Sequence, residues 1–281
     1  MGVRASLRPG DLGRSSHACW SYRSDAAHRE FLAEYFTAGL DANERLMYLA
    51  SPEQLRAAIP ILSDAGLDAG SLMAQGRLSL GDVTAAYLSQ GSLQPDIRLA
   101  GHAVLVQQAL RDGFDGLRVC SEVAPLLCAD GVRDDWYGYE LRADVLIAGL
   151  PSIVVCACDQ RATEPDVMSD LAAVHSLRGG AVGYPSPFAL RAGPDGLSLS
   201  GEVDAASAPR VGRWLTEALE DMPAPVVDVT ELEFIDAAGM WALLDSAHAH
   251  PDGLMLRGTT PHFRRVWSVC GYDAIDAVQL N

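Results

Sequence analysis

Hydrophobic residues in this chain gather in short, nearly continuous runs separated by stretches of helical spacing. Residues 16–22, 44–50, 117–122 and 152–158 are short, largely apolar runs, aromatic in the first and β-branched in the last, and predict strands. Residues 78–80 predict another. After the first strand, Ser24 and Asp25 offer a helix cap. Phe31, Leu32, Tyr35 and Phe36 then repeat at helical spacing, and Gly39 is the expected end. Ser51-Pro52-Glu53-Gln54 predicts a second helix with proline at its first position. Further helices are expected over 97–111, 136–148 and 166–177. Apolar strands alternating with helices predict a parallel sheet covered on both faces.

Glycine and proline concentrate over 178–187, the one clear break in the pattern. Beyond it, 188–200 reads as a hairpin turning at Asp195-Gly196. A helix follows over 205–220. Val226, Val227 and Val229 then supply a short strand, and residues 254–257 supply another. Between these two strands Asp236 is a good N-cap, its carboxylate accepting from the free N–H groups of a first helical turn. Ala237, Met240, Trp241, Leu243 and Leu244 give that helix its apolar side, and Gly239 admits a close neighbour. The expected organisation is a flexible tail (1–14), a larger α/β domain (15–180), a linker (181–187) and a smaller α/β domain (188–281).

A length of 281 residues suits two domains, and no run of about 18 apolar residues exists to span a bilayer. With no apolar signal region, a cytoplasmic protein without membrane attachment is expected. The formal net charge of −16 argues against nucleic-acid binding, and the small cluster His262, Arg264 and Arg265 does not reverse that. The chain contains no lysine, which excludes a Walker A loop, a Schiff-base lysine and a Ser–Lys pair. No Gly-x-Ser-x-Gly or His-Glu-x-x-His is present, so no catalysis is expected. The six cysteines include no Cys-x-x-Cys pair and are expected as reduced, buried thiols. His17 with Cys19, and Cys156 with Cys158, share strand faces but lack zinc-site spacing, so neither a metal nor a cofactor is predicted.

Three segments of the last third resemble STAS domains, the anti-sigma-factor antagonists of bacteria. They are Gly201-Glu202-Val203-Asp204, then Asp228-Val229-Thr230 leading to Asp236-Ala237-Ala238-Gly239, then the closing helix and turn over 261–273. The resemblance implies that Asp204, Asp236, Ala237, Ala238, Gly239 and Met240 form a partner-docking corner. It also implies that the phospho-acceptor, a Ser or Thr in family members, is replaced here by Ala238. Thr230 and Ser246 lie near it in sequence without matching the acceptor position.

Residues from about 15 to 180 resemble the MEDS domain, a sensory module similar to RecA/KaiC-type ATPases but lacking their phosphate loop. The resemblance rests on His17 and Tyr22, on the second strand with Tyr48, and on Tyr139-Glu140, Leu150-Pro151, Cys156-x-Cys158-Asp159 and His175. Cys158 replaces a family tyrosine and Ser176 a family proline.

Ligands of open α/β sheets sit beyond the carboxyl ends of the strands. Glu122 and Asp159 fall at such ends. With His17, Tyr22, Tyr48, Glu140, Cys156 and His175 they form the expected ligand-binding set. The reading is a small-molecule-sensing anti-sigma-factor antagonist acting by partner switching on a serine-kinase-type anti-sigma factor. Two alternatives remain open at this point: a stressosome-like sensor or scaffold subunit forming a large homo- or hetero-oligomer, and a ligand- or redox-binding protein whose STAS part serves dimerisation.

Overall fold

Strands that are apolar on both faces belong in the interior of a sheet, and the first unit of the protein uses them there. In the computed structural model, which describes residues 7–128, 131–181, 184–193, 195–220 and 222–281, the chain divides into two compact units. The first holds β1 (Ser16–Tyr22), α1 (Asp25–Asp41), β2 (Glu44–Ala50), α2 (Pro52–Asp64), β3 (Leu78–Asp82), α3 (Pro95–Arg111) and β4 (Gly116–Glu122). After the helix α4 (Val132–Ala148), most of which groups with the second unit, come β5 (Ser152–Asp159), the helix α5 (Pro165–Val174), whose last turn also groups there, and β6 (Leu177–Gly180). All six strands run parallel in the order β3-β2-β4-β5-β1-β6. Every residue of β4 is buried.

Side-chain alternation gives β1 two different faces. Ala18, Trp20 and Tyr22 join Ile153, Val155 and Ala157 in a core shared with Phe31, Tyr35, Phe36, Tyr48 and Leu62 from β2 and the two helices. Trp20 stacks on Phe31 with ring centroids 4.9 Å apart. Full burial of each such side chain is worth about 1.5–3 kcal/mol. Ser24 caps α1 by accepting from the Ala27 N–H. Ser51 and Gln54 form a reciprocal capping box on α2. Gly39 does not end α1, which continues to Asp41. A β-carbon at Gly39 would lie 2.6 Å from Leu46 and 2.7 Å from Arg118, so close packing explains the glycine. Arg118 itself is buried, 2.5 Å from Glu44 and with its guanidinium over the Tyr35 ring.

Part of the expected tail, and the start of the glycine-rich break, are built into this unit. Of the predicted tail, residues 1–6 lie outside the described residues. Pro9–Asp11 forms a short 3₁₀ turn, Leu12 is buried and Leu7 bridges Gly179. The start of the glycine- and proline-rich break over 178–187 is part of the edge strand β6, paired with β1 from Ala18 to Ser21. Trp20 covers Gly179, and Gly180 (φ +79°) lies against the Ser21 carbonyl, so side chains are excluded at both. Val182 and Gly183 of the predicted linker lie outside the described residues.

The second unit gathers Asp134–Val145, Asp170–Val174 and Pro185–Asn281. Its strands are β7 (Phe188–Gly193), β8 (Gly196–Val203), β9 (Val226–Asp228), β10 (Leu232–Ile235), β11 (Leu254–Arg257) and β12 (Val278–Leu280). Its helices include α6 (Ala208–Leu219), α7 (Ala237–Ala249) and α8 (Pro261–Val269). β7 and β8 form the predicted antiparallel hairpin. The remaining order is β10-β8-β9-β11-β12, all parallel. Neither β10 nor β12 was expected from the sequence. Trp214 of α6 packs between Tyr137 and Phe188, with centroids 4.6 and 5.5 Å away.

Glu217, also on α6, is half-buried. Burial, and then the charge of Asp135, push its carboxyl up to about 8, against the opposing pull of Arg142 and Arg213. The folded chain therefore keeps a proton that the unfolded chain loses above about 4.5. Stability is full below that pH and declines as pH rises towards about 8. Glu217→Gln is expected to flatten this decline in urea titrations. With solvent screening allowed for, it should exceed the parent by about 1–2 kcal/mol at alkaline pH.

Candidate functional site

Three strands of the first unit end in polar side chains at one edge of the sheet: Tyr22 on β1, Glu122 on β4 and Asp159 on β5. Parallel register sets Tyr22 beside Asp159. The Tyr22 hydroxyl donates to Glu122 Oε2 at 2.8 Å, and the Tyr48 hydroxyl to Oε1 at 3.1 Å. His28, from the first turn of α1, places Nε2 2.7 Å from the same Oε1 and stacks its ring on Tyr22 at 4.3 Å. Glu122 is 1% exposed, so its two oxygens are served by protein donors rather than water. Burial, and then Glu122, hold the Tyr22 and Tyr48 hydroxyls far above the ordinary phenol range, so both remain neutral donors.

Asp159 is differently held. Burial works to raise its carboxyl, but hydrogen bonds from Arg161 overcome that and keep it below the usual value. Arg161 grips both oxygens at 2.7–3.1 Å and reaches Asp25 at 2.7 Å. A cavity of about 610 Å³ opens here, lined by Tyr22, Asp25, His28, Arg29, Asp159 and Arg161 among others. A second, of about 590 Å³, is also lined by Tyr22, together with Trp20, Arg23, Glu30 and Phe31 among others. The first cavity is lined mostly by charged and polar side chains around Tyr22, the second adds the rings of Trp20 and Phe31.

The expected ligand set therefore divides. Tyr22, Tyr48, Glu122 and Asp159 share this edge of the sheet. His17, Cys156 and His175 gather away from it, since His17 and Cys156 point to the sheet face opposite Tyr22. Glu140 is buried on α4, in the stretch grouped with the second unit. His28 and Arg161 were not expected. His28 precedes Phe31 and Leu32 at helical spacing, which places a polar side chain on the buried side of α1.

The six cysteines are all free thiols. Burial pushes Cys158 up to about 12 and raises Cys120 as well, so neither supplies a reactive thiolate.

In the second unit Asp236 caps α7 as expected. Its Oδ1 accepts from the Ala238 and Gly239 N–H groups at 2.9 and 3.0 Å, and its Oδ2 from Ala205 at 3.0 Å. Asp204 accepts from the Ala206 and Ser207 backbone and from the Ser207 hydroxyl, each at 3.0 Å. The Ser207 backbone bond comes first among the causes that hold the Asp204 carboxyl low. A β-carbon on Gly239 would meet Ile235 at 2.6 Å and Val203 at 2.9 Å, so only glycine lets α7 sit this close to β8 and β10.

The surface of this corner differs from the expected one in two residues. Met240 is fully buried and offers nothing to a partner, because the helix turns it into the core. Trp241, expected on the apolar side, is 55% exposed, and Phe234 on β10 is 47% exposed. Asp204 and Ala237 are exposed, and Ala238 is half-buried. Ser246 is buried and donates to the Ala242 and Gly212 carbonyls, which removes it as a phosphate acceptor.

A six-stranded parallel-sheet α/β domain followed by a smaller mixed-sheet domain defines a two-domain α/β protein. The chain belongs to the MEDS family, the methanogen/methylotroph, DcmR sensory domain, whose profile matches residues 16–176. Residues 188–279 match a second profile, described as a Mlab-type STAS domain. These two domains suggest an anti-sigma-factor-antagonist-like or sensory signalling role. Among curated proteins none matches the chain. Among solved structures, a KaiC-like protein from Pyrococcus horikoshii OT3 is 9% identical, with a TM-score of 0.40 over 66% of this chain and 80% of that one. The helicase MrfA bound to DNA and AMPPNP is 11% identical, with a TM-score of 0.34 over 89% of this chain. This chain spans only 37% of that helicase's length. Among the described residues, no helix is long and apolar enough to cross a membrane.

Proposed function

We propose that this chain is a non-catalytic cytoplasmic regulator. Its MEDS domain senses a small molecule and its STAS domain docks a serine-kinase-type anti-sigma factor. The observation that carries this reading is the capped corner at Asp236, where exposed Ala237, Trp241 and Phe234 flank a helix start that has no hydroxyl. An aromatic side chain standing in solvent beside rigid backbone is the usual anchor of a protein interface. Phosphorylation would place close to two negative charges on such a surface and disrupt docking. Ala238 cannot accept phosphate, so regulation passes to ligand binding in the first domain. Such a ligand acts only through different affinities for two states of the protein.

The test incubates the full chain with a serine-kinase-type anti-sigma factor of the same organism and labelled ATP. The parent chain is expected to bind without taking label, and Ala238→Ser to take it. Trp241→Glu is expected to weaken binding by about 30-fold, in the range of an interface anchor. Label on the parent corner would refute the reading. So would full binding by Trp241→Glu, or a Trp241-dependent self-association with no anti-sigma binding.

A further inference from the structure

We infer that His17, Cys156 and His175 form a transition-metal site in the MEDS domain, selective for a borderline ion such as Zn²⁺ or Co²⁺. All three side chains are buried. They come from three separate places in the sequence: the first half of β1, the middle of β5, and the turn joining α5 to β6. One donor atom from each lies within 4.8 Å of the others.

The finer geometry agrees with a shared ion. Cys156 Sγ lies 3.5 Å from His17 Nε2. Ligands at about 2.3 Å (sulfur) and about 2.05 Å (nitrogen) on a tetrahedral ion stand about 3.5 Å apart. The His17 and His175 rings are 4.7 Å between centroids and inclined at 59°, so they are not stacked flat against each other. Two imidazoles and a thiolate suit Zn²⁺, Co²⁺ or copper and disfavour Mg²⁺ and Ca²⁺, which demand oxygen. Linear spacing hid the site. His17-x-Cys19 and Cys156-x-Cys158 look like the natural pairs, yet the fold joins His17 to Cys156 across neighbouring strands.

The inference does not depend on anti-sigma docking, and its test reads the metal alone. Full-length, untagged, metal-free protein is titrated with Co²⁺ and followed by absorption spectroscopy. One equivalent is expected to bind, giving visible d–d bands and a near-ultraviolet thiolate-to-cobalt charge-transfer band. Zn²⁺ is expected to displace it. Cys156→Ser should abolish the charge-transfer band, and His175→Gln should weaken binding by about 10- to 100-fold.

A core variant that fails to fold would leave its own arm blank, so a double variant provides the decisive control. Cys128 and Cys270 lie outside the core, and Cys128→Ser/Cys270→Ser should keep the full band. Loss of the band in that variant overturns the assignment. X-ray absorption of the cobalt-loaded parent should show a sulfur scatterer at about 2.3 Å. A first shell of nitrogen and oxygen only overturns it equally.

Discussion

Glu44→Ala is expected to lower the unfolding free energy by about 3–5 kcal/mol, the cost of leaving a buried guanidinium without its counter-charge. For a domain of this size that is a fall in Tm of roughly 10 °C. The basis is local. Glu44 opens β2, Arg118 lies in fully buried β4, and their charged atoms are 2.5 Å apart with almost no solvent access. The guanidinium also sits over Tyr35, whose hydroxyl is committed to the Val119 and Ile153 carbonyls. Losing the carboxylate therefore disturbs three strands and one helix together. Replacing both members, as Glu44→Leu with Arg118→Met, should recover most of the loss, because an apolar pair needs no partner in that setting. Urea and thermal unfolding of the three variants check this. A loss below about 1 kcal/mol for Glu44→Ala would mean that water reaches the pair.

Gly180→Ala is expected to cost about 2–4 kcal/mol, and Gly179→Ala about 1–3 kcal/mol, through backbone strain and overpacking respectively. A methyl group on Gly179 would land in the Trp20 indole. One on Gly180 would combine a φ of +79° with collision against the Ser21 carbonyl. If these residues belonged to a flexible linker, both changes would stay within about 0.5 kcal/mol. Hydrogen exchange of the Leu177–Gly180 strand, with Trp20 fluorescence alongside, distinguishes the outcomes. Faster exchange confined to this edge strand would show that it opens by itself.

Much of the fold was legible because long apolar strands and capped helices state their own periodicity. Ser24, Ser51 and Asp236 each cap the helix that the sequence assigned to them. Strand β6 was not legible, since two glycines carry neither propensity nor pattern, and only Trp20 overhead reveals why they are there. The short strands β10 and β12 fail for a similar reason: three or four residues show no period. On α7, apolar residues almost surround the helix, so spacing alone could not decide that Met240 turns inward and Trp241 outward.

The candidate site was legible where a polar residue ends an apolar strand, which identified Glu122 and Asp159. Its division into two clusters followed from a rule available at the start. Along β1, odd-numbered His17 and even-numbered Tyr22 must face opposite sides of the sheet. His28 carried a local signal in its helical spacing from Phe31 and Leu32, but that it meets Glu122, and that Arg161 reaches Asp25, depended on packing that no local pattern encodes.

The Asp236 carboxylate ties together two backbone segments some thirty residues apart, gripping the start of α7 with one oxygen and Ala205 with the other. A partner docking at this corner, as proposed above, would meet backbone already fixed by these bonds. Association there would carry little ordering entropy, and its speed would follow from how often the two bodies collide in the right orientation.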